Sequence, residues 1–130
     1  MFRNLPRFEF LSPKTLEEAV VLMRQYGQKA KVMAGGTDLV PQMKNGGLRP
    51  EYVLSLNQIE ALTELRFDEE SGLKIGALCR IAAIERSQVV KEHYPVLSQA
   101  ASVLGSTEIR NRGTVGGNLC NAAPSADMAP

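Results

Sequence analysis

Two short segments carry the residue types needed to hold a phosphorylated nucleotide. The first, Ala34-Gly35-Gly36-Thr37-Asp38-Leu39, lies between an apolar strand-like run and a short helix-like one. Glycine lets backbone approach an anion closely and take positive φ, so its amides can face pyrophosphate oxygens. A following helix N-terminus adds its dipole, and Thr37 adds a hydroxyl donor. The segment lacks both GxxxxGK[ST] and GxGxxG, so nucleotide hydrolysis has no support. Asp38 repels phosphate and is given a capping role before a contacting one. The same residues equally make a plain turn in which Thr37 or Asp38 caps the next helix.

The second segment runs Gly113-Thr114-Val115-Gly116-Gly117-Asn118-Leu119 and continues Asn121-Ala122-Ala123-Pro124-Ser125-Ala126-Asp127. Thr114, Gly116 and Gly117 offer close-approach amides. Asn118, Asn121, Ser125 and Asp127 offer polar groups suited to ribityl or ribose hydroxyls. Its glycines and turn formers read as irregular backbone, not a packed helix.

Other reactive side chains have bland readings. His93 is the only histidine, near a helix start, and reads as solvated or capping. Cys79 and Cys120 are isolated, with no CxxC pattern or clustered histidines, which argues against a zinc or iron–sulfur site and against a disulfide. Cys120 reads as a small buried residue. Arg110 and Arg112 are candidates to neutralise a diphosphate, to pair with Asp127, or to sit on the surface.

Around these segments the sequence places its elements. Phe8 to Leu11 reads as a strand, and Thr15 with Glu18 forms a capping box opening a helix. Leu16, Ala19, Val20 and Met23 form its expected buried stripe, and Gly27 ends it. Lys31 to Ala34 is a strand, a short helix follows Thr37 or Asp38 until Gly46-Gly47, and Glu51 to Leu56 is a strand again. Leu62–Phe67 and Leu73–Leu78 predict an antiparallel hairpin around Asp68-Glu69-Glu70-Ser71-Gly72. Helices follow at Ile81–Arg86 and Pro95–Leu104, the latter with Leu97, Ala100, Ala101 and Leu104 on one face. The expected organisation is a small α/β lobe over residues 1–56 and a second lobe over residues 57–130, left incomplete at Pro130. The whole reads as a fragment of something longer.

The 130 residues are 44% hydrophobic and 22% charged, a globular composition in one ordinary domain size. With 15 Lys+Arg against 14 Asp+Glu, the net charge of +1 gives no general pull toward nucleic acid or an anionic membrane. No signal-like N-terminus or bilayer-length apolar run is evident, so cytoplasmic residence is the expectation.

Taken together, Ala34-Gly35-Gly36-Thr37-Asp38-Leu39 and, about 75 residues later, Arg110-Asn111-Arg112-Gly113-Thr114-Val115-Gly116-Gly117-Asn118 resemble the FAD-binding subunits of molybdenum hydroxylases. Xanthine, carbon monoxide and nicotinate dehydrogenases belong to that group. The likeness extends to Phe8-Glu9-Phe10, Thr15-Leu16-Glu17-Glu18-Ala19, Leu73-Lys74-Ile75-Gly76-Ala77 and the Asn121-to-Asp127 stretch. It implies an α+β, two-lobed, vanillyl-alcohol-oxidase-type (PCMH-type) FAD-binding domain: a small α/β lobe, then a lobe with antiparallel strands and helices, with the flavin between them. Carried over, Ala34, Gly35, Gly36, Thr37, Asp38 and Leu39 surround the diphosphate, while Thr114, Gly117, Asn118, Asn121 and Asp127 line a second wall.

The resemblance further implies no catalytic acid or base and no metal in this chain. A molybdenum-cofactor large subunit performs hydroxylation, a [2Fe–2S] small subunit relays electrons, and FAD passes them to NAD or another carrier. Cys120 has no neighbouring cysteines, so the cluster-bearing 4-hydroxybenzoyl-CoA reductase branch is disfavoured. A UDP-N-acetylenolpyruvoylglucosamine reductase-like enzyme shares the fold class but not the TVGGN-to-PSAD wording. A covalent-flavin sugar oxidase would want a histidine or cysteine beside Gly35. A flavin-free module that binds a partner subunit is the non-enzymatic alternative.

Overall fold

The computed structural model describes residues 4–121, which divide into two compact units, one ending at Glu60 and one beginning at Ala61. The expected lobe boundary lay near Asn57.

The first unit is a parallel sheet with its helices. Strand β1 (Glu9–Leu11) leads to helix α1 (Leu16–Tyr26), strand β2 (Ala30–Met33), helix α2 (Leu39–Lys44) and strand β3 (Tyr52–Ser55). The sheet order is β1-β3-β2, both pairings parallel, with Phe10 opposite Val53 and Val32 opposite Leu54. The central strand is the most deeply buried: Val53, Leu54 and Ser55 are each almost wholly enclosed, as expected for a parallel strand covered on both faces.

Thr15 caps α1 by accepting from Glu18 N–H at 3.1 Å. The Glu18 carboxylate takes Lys14 N–H at 3.2 Å, one residue earlier than a strict capping box requires. Gly27 closes the helix at φ +54° and donates to Met23 O. The buried stripe differs from the sequence expectation. Ala19 is enclosed and Leu22, Met23 and Tyr26 are half-buried, whereas Leu16 and Val20 stay exposed. Tyr26 stacks on Tyr52 of β3 with ring centroids 3.9 Å apart, which fixes the helix's rotation about the sheet.

The second unit begins with an antiparallel hairpin, β4 (Leu65–Asp68) and β5 (Gly72–Ile75), in the register Leu65–Ile75 and Phe67–Leu73. A lone hairpin is marginal in water. Leu65, Leu73 and Ile75 are held because they pack on a core of Cys79, Ile81, Ile84, Val90, Ala101 and Leu104. Helices α3 (Ile81–Arg86), α4 (Gln88–His93), α5 (Pro95–Val103), α6 (Thr107–Arg112) and α7 (Val115–Asn121) complete it.

Helices α3 and α5 fall where sequence patterning put them; α4, α6 and α7 are additional. Ser87 and Ser106 cap α4 and α6 by accepting from Val90 and Ile109 N–H. Helix α7 replaces the irregular backbone expected of Gly113 to Leu119.

Candidate functional site

The first glycine segment joins β2 to α2. Leu56 N–H donates to Met33 O at 3.0 Å, pinning the end of β2 to β3, after which the chain bends through Ala34 and Gly35. Gly36 adopts φ +79°, a left-handed conformation that side-chain-bearing residues avoid. A Cβ there would meet Val40 Cγ2 at 3.3 Å and Met33 Sδ at 3.4 Å. Helical bonding begins with Val40 N–H to Gly36 O at 3.1 Å. Among the described residues, none of the five amides from Gly35 to Leu39 donates a hydrogen bond. Gly35 is buried, Gly36, Thr37 and Leu39 are half-buried, and Asp38 is exposed. Asp38 occupies the N-cap position of α2 but makes no side-chain cap bond, so its carboxylate is not committed to the helix.

The second glycine segment is organised differently. Thr114 is buried and bridges antiparallel to Arg80. Its hydroxyl accepts from Gly117 N–H at 3.1 Å and its carbonyl from Asn118 N–H at 3.0 Å. Val115 N–H donates to Cys79 O at 3.1 Å and Gly116 N–H to Ala77 O at 2.8 Å. All four amides from Val115 to Asn118 are therefore already bonded, so this segment is not a second amide cradle.

What it presents is side chains. Thr114, Gly117, Asn118 and Asn121 recur at i, i+3, i+4 and i+7 and share one face of α7. The Asn118 side-chain oxygen is buried and finds no hydrogen-bond partner among the described residues. An orphaned buried acceptor costs about 1–3 kcal/mol, and an amide oxygen suits a hydroxyl or amine donor rather than a phosphate oxygen. Asp127 and Ser125 lie outside the described residues.

The remaining candidates resolve individually. Arg110 is not a surface residue: its Nε donates to Glu85 Oε2 at 3.0 Å and the pair is mostly enclosed. The Arg80 guanidinium donates to Arg112 O. Burial, and then the nearby Arg112 charge, lower the Arg80 pKa from its ordinary value. His93 is exposed and stacks on Phe67, centroids 4.1 Å apart. Cys79 is buried and its thiol pKa is raised by that burial, whereas Cys120 is exposed, contrary to the buried role expected of it. Both thiols are free. The sequence reading missed Glu85 and Arg80, which have no motif of their own. Among the described residues no cluster of His, Cys, Asp and Glu could hold a metal ion, and no helix is long and apolar enough to cross a membrane.

A parallel three-stranded unit with a glycine turn into a short helix, followed by a hairpin-and-helix unit, makes this an α+β protein. Residues 6–130 match the family described as the FAD binding domain in molybdopterin dehydrogenase, and the chain belongs to that family. It is 38% identical over 122 residues to the carbon monoxide dehydrogenase medium chain of Hydrogenophaga pseudoflava, covering 94% of this chain and 42% of that one. It is 40% identical over 121 residues to the nicotinate dehydrogenase FAD-subunit of Eubacterium barkeri, covering 92% and 40%. Among solved structures, the carbon monoxide dehydrogenase of H. pseudoflava lacking the Mo-pyranopterin moiety aligns with a TM-score of 0.92 at 38% identity, over 96% of this chain and 43% of that one. Quinoline 2-oxidoreductase of Pseudomonas putida 86 aligns at 0.90 with 26% identity, over 96% and 43%. The chain thus spans about two fifths of the length of these relatives.

Proposed function

We propose that this chain is the FAD-holding part of the flavoprotein subunit of a molybdenum hydroxylase-type dehydrogenase. The observation that carries the reading is the run of amides from Gly35 to Leu39 without acceptors among the described residues. A diphosphate presents a matching row of oxygens, and the left-handed backbone of Gly36 makes the turn that carries these amides. Ala34 to Leu39 would surround the diphosphate. Thr114, Gly117, Asn118, Asn121 and Asp127 would form the second wall, with the Asn118 oxygen accepting from a ribityl or ribose hydroxyl. The uncommitted Asp38 carboxylate is best placed to accept from a hydroxyl beside the phosphates, since its charge repels the phosphates themselves.

FAD, when bound, supplies exchange between one-electron donors and two-electron acceptors. The chain's own residues bind and orient it, and none of them is assigned proton transfer. The named relatives are medium chains or FAD-subunits of dehydrogenases. By that likeness the whole protein would work with a molybdenum-cofactor large subunit and a [2Fe–2S] small subunit, receiving electrons from the clusters and delivering them to NAD or another carrier.

The test is to release and identify flavin from the purified chain and from the longest natural protein that carries it. FAD in both supports a self-sufficient site. FAD only in the longer protein makes this chain one part of the site. Flavin in neither overturns the reading and favours a flavin-free module that docks a partner subunit.

A further inference from the structure

Helix α6 immediately precedes Thr114, yet none of its residues is buried. No fully enclosed side chain anchors it, so polar ties must contribute to its placement. Three consecutive residues tie it to α3 or to the residue capping it. Arg110 pairs with Glu85 at 3.0 Å, Asn111 Oδ1 accepts from Arg86 Nη2 at 3.4 Å, and Arg112 O accepts from the Arg80 guanidinium. Arg110 is the densest of these ties. Its Nη1 also donates to Leu104 O at 3.2 Å and Gly105 O at 3.1 Å, and its Nη2 to Thr107 Oγ1 at 3.3 Å. One planar guanidinium thus fastens α3, the end of α5 and the first turn of α6 together, a geometry that lysine cannot reproduce.

From α6 the restraint passes to the nucleotide-facing helix in two bonds. Gly113 N–H donates to Ile109 O at 2.6 Å, and Gly113 O accepts Ile81 N–H at 3.0 Å. Thr114 follows and caps α7. We propose that Arg110 is a positioning residue for the flavin site: with Glu85 it locks α6 onto α3 and thereby sets where Thr114 and Asn118 stand. This rests on the FAD-binding reading of that face, and it gives the basic start of the Arg110-Asn111-Arg112-Gly113-Thr114 stretch a role in placing the site rather than contacting anion.

The experiment is a double-mutant cycle on FAD affinity in the longest natural protein that carries this sequence. Arg110→Lys, Glu85→Gln and Asn118→Ala are compared singly, with Arg110→Lys also combined with Asn118→Ala; thermal unfolding and the sharpness of the visible flavin band are recorded for each. The expected result is roughly tenfold weaker FAD binding and a blurred flavin band for Arg110→Lys, with the loss shrinking when Asn118 is already alanine. Glu85→Gln should act in the same direction while the protein remains folded. Unchanged FAD affinity in folded Arg110→Lys and Glu85→Gln proteins overturns the proposal. So does an affinity loss equal in both Asn118 backgrounds, the signature of general destabilisation. Absence of FAD from the wild-type protein overturns instead the functional reading beneath it.

Discussion

Gly116 N–H donates to Ala77 O at 2.8 Å, and a Cβ on Gly116 would lie 2.6 Å from that same oxygen. The start of α7 is thus pressed against the backbone between β5 and α3, closer than any other residue type permits. Two effects of Gly116→Ala compete. Replacing a helical glycine by alanine ordinarily gains about 0.5–1 kcal/mol, but forcing an atom into packed backbone costs about 1–3 kcal/mol. The obstacle is a carbonyl that is itself hydrogen-bonded, so the cost wins. Gly116→Ala should lower the urea midpoint with a net loss of about 1–2 kcal/mol; a stabilised variant would mean that α7 does not lie so close.

Gly36 tests the other segment. Its φ of +79° costs an L-residue roughly 1–2 kcal/mol, and the contacts at Val40 and Met33 are tight but made by side chains that can shift. Gly36→Ala should therefore fold, with a stability loss of about 1–2 kcal/mol. On the proposed reading the loss of FAD affinity should be larger, roughly tenfold or more, because straining the left-handed turn at Gly36 moves the amides offered to the diphosphate. Full flavin occupancy in a folded Gly36→Ala protein would remove this loop from the site.

How far the sequence revealed this arrangement depends on what holds each part. The hairpin was legible because Leu65, Phe67, Leu73 and Ile75 alternate around a polar turn, and α1 because Thr15 announces it. Helix α7 was not, since Gly116-Gly117 signals loop by propensity; what makes it a helix is the Thr114 cap and the approach to Ala77. Thr114, Asn118 and Asn121 stand at helical spacing in the sequence, but the glycine pair between them makes the segment read as a loop. Helices α4 and α6 are six residues each, too short for periodicity, and only their serine caps marked them. In α1 the period was right but the face was displaced: the Tyr26–Tyr52 stack brings Leu22 and Tyr26 inward with Ala19 and Met23, leaving Leu16 and Val20 outside. Glu85, the charged partner of Arg110, lies 25 residues away in sequence, beyond any local pattern.

The two cysteines should separate cleanly in alkylation. The thiolate is the reactive form, and Cys79 is both enclosed and shifted upward in pKa by burial, whereas Cys120 is exposed. Native chain treated with iodoacetamide should carry label at Cys120 and little at Cys79 by peptide mass mapping, with both labelled in denaturant. Equal native labelling would contradict the packing of Cys79 into the core of the second unit.

The hairpin turn contains a pH-dependent element. Asp68 Oδ1 accepts from Glu70 N–H at 2.8 Å and Ser71 N–H at 3.1 Å. These amides, that of Ser71 first, lower the carboxyl's pKa from its ordinary value. Since the folded pKa lies below the unfolded one, near about 3.9, the unfolded chain takes up the proton first as pH falls. The stabilisation is complete above the unfolded value and drains away as pH drops through the lowered folded value. Asp68→Asn keeps an acceptor oxygen but removes the charge, so it should destabilise the hairpin near neutral pH and flatten this part of the acid limb. Denaturant titrations of both proteins between neutrality and strong acid should therefore converge toward low pH. Curves that stay parallel throughout would show that the Asp68 carboxylate does not hold the turn between β4 and β5.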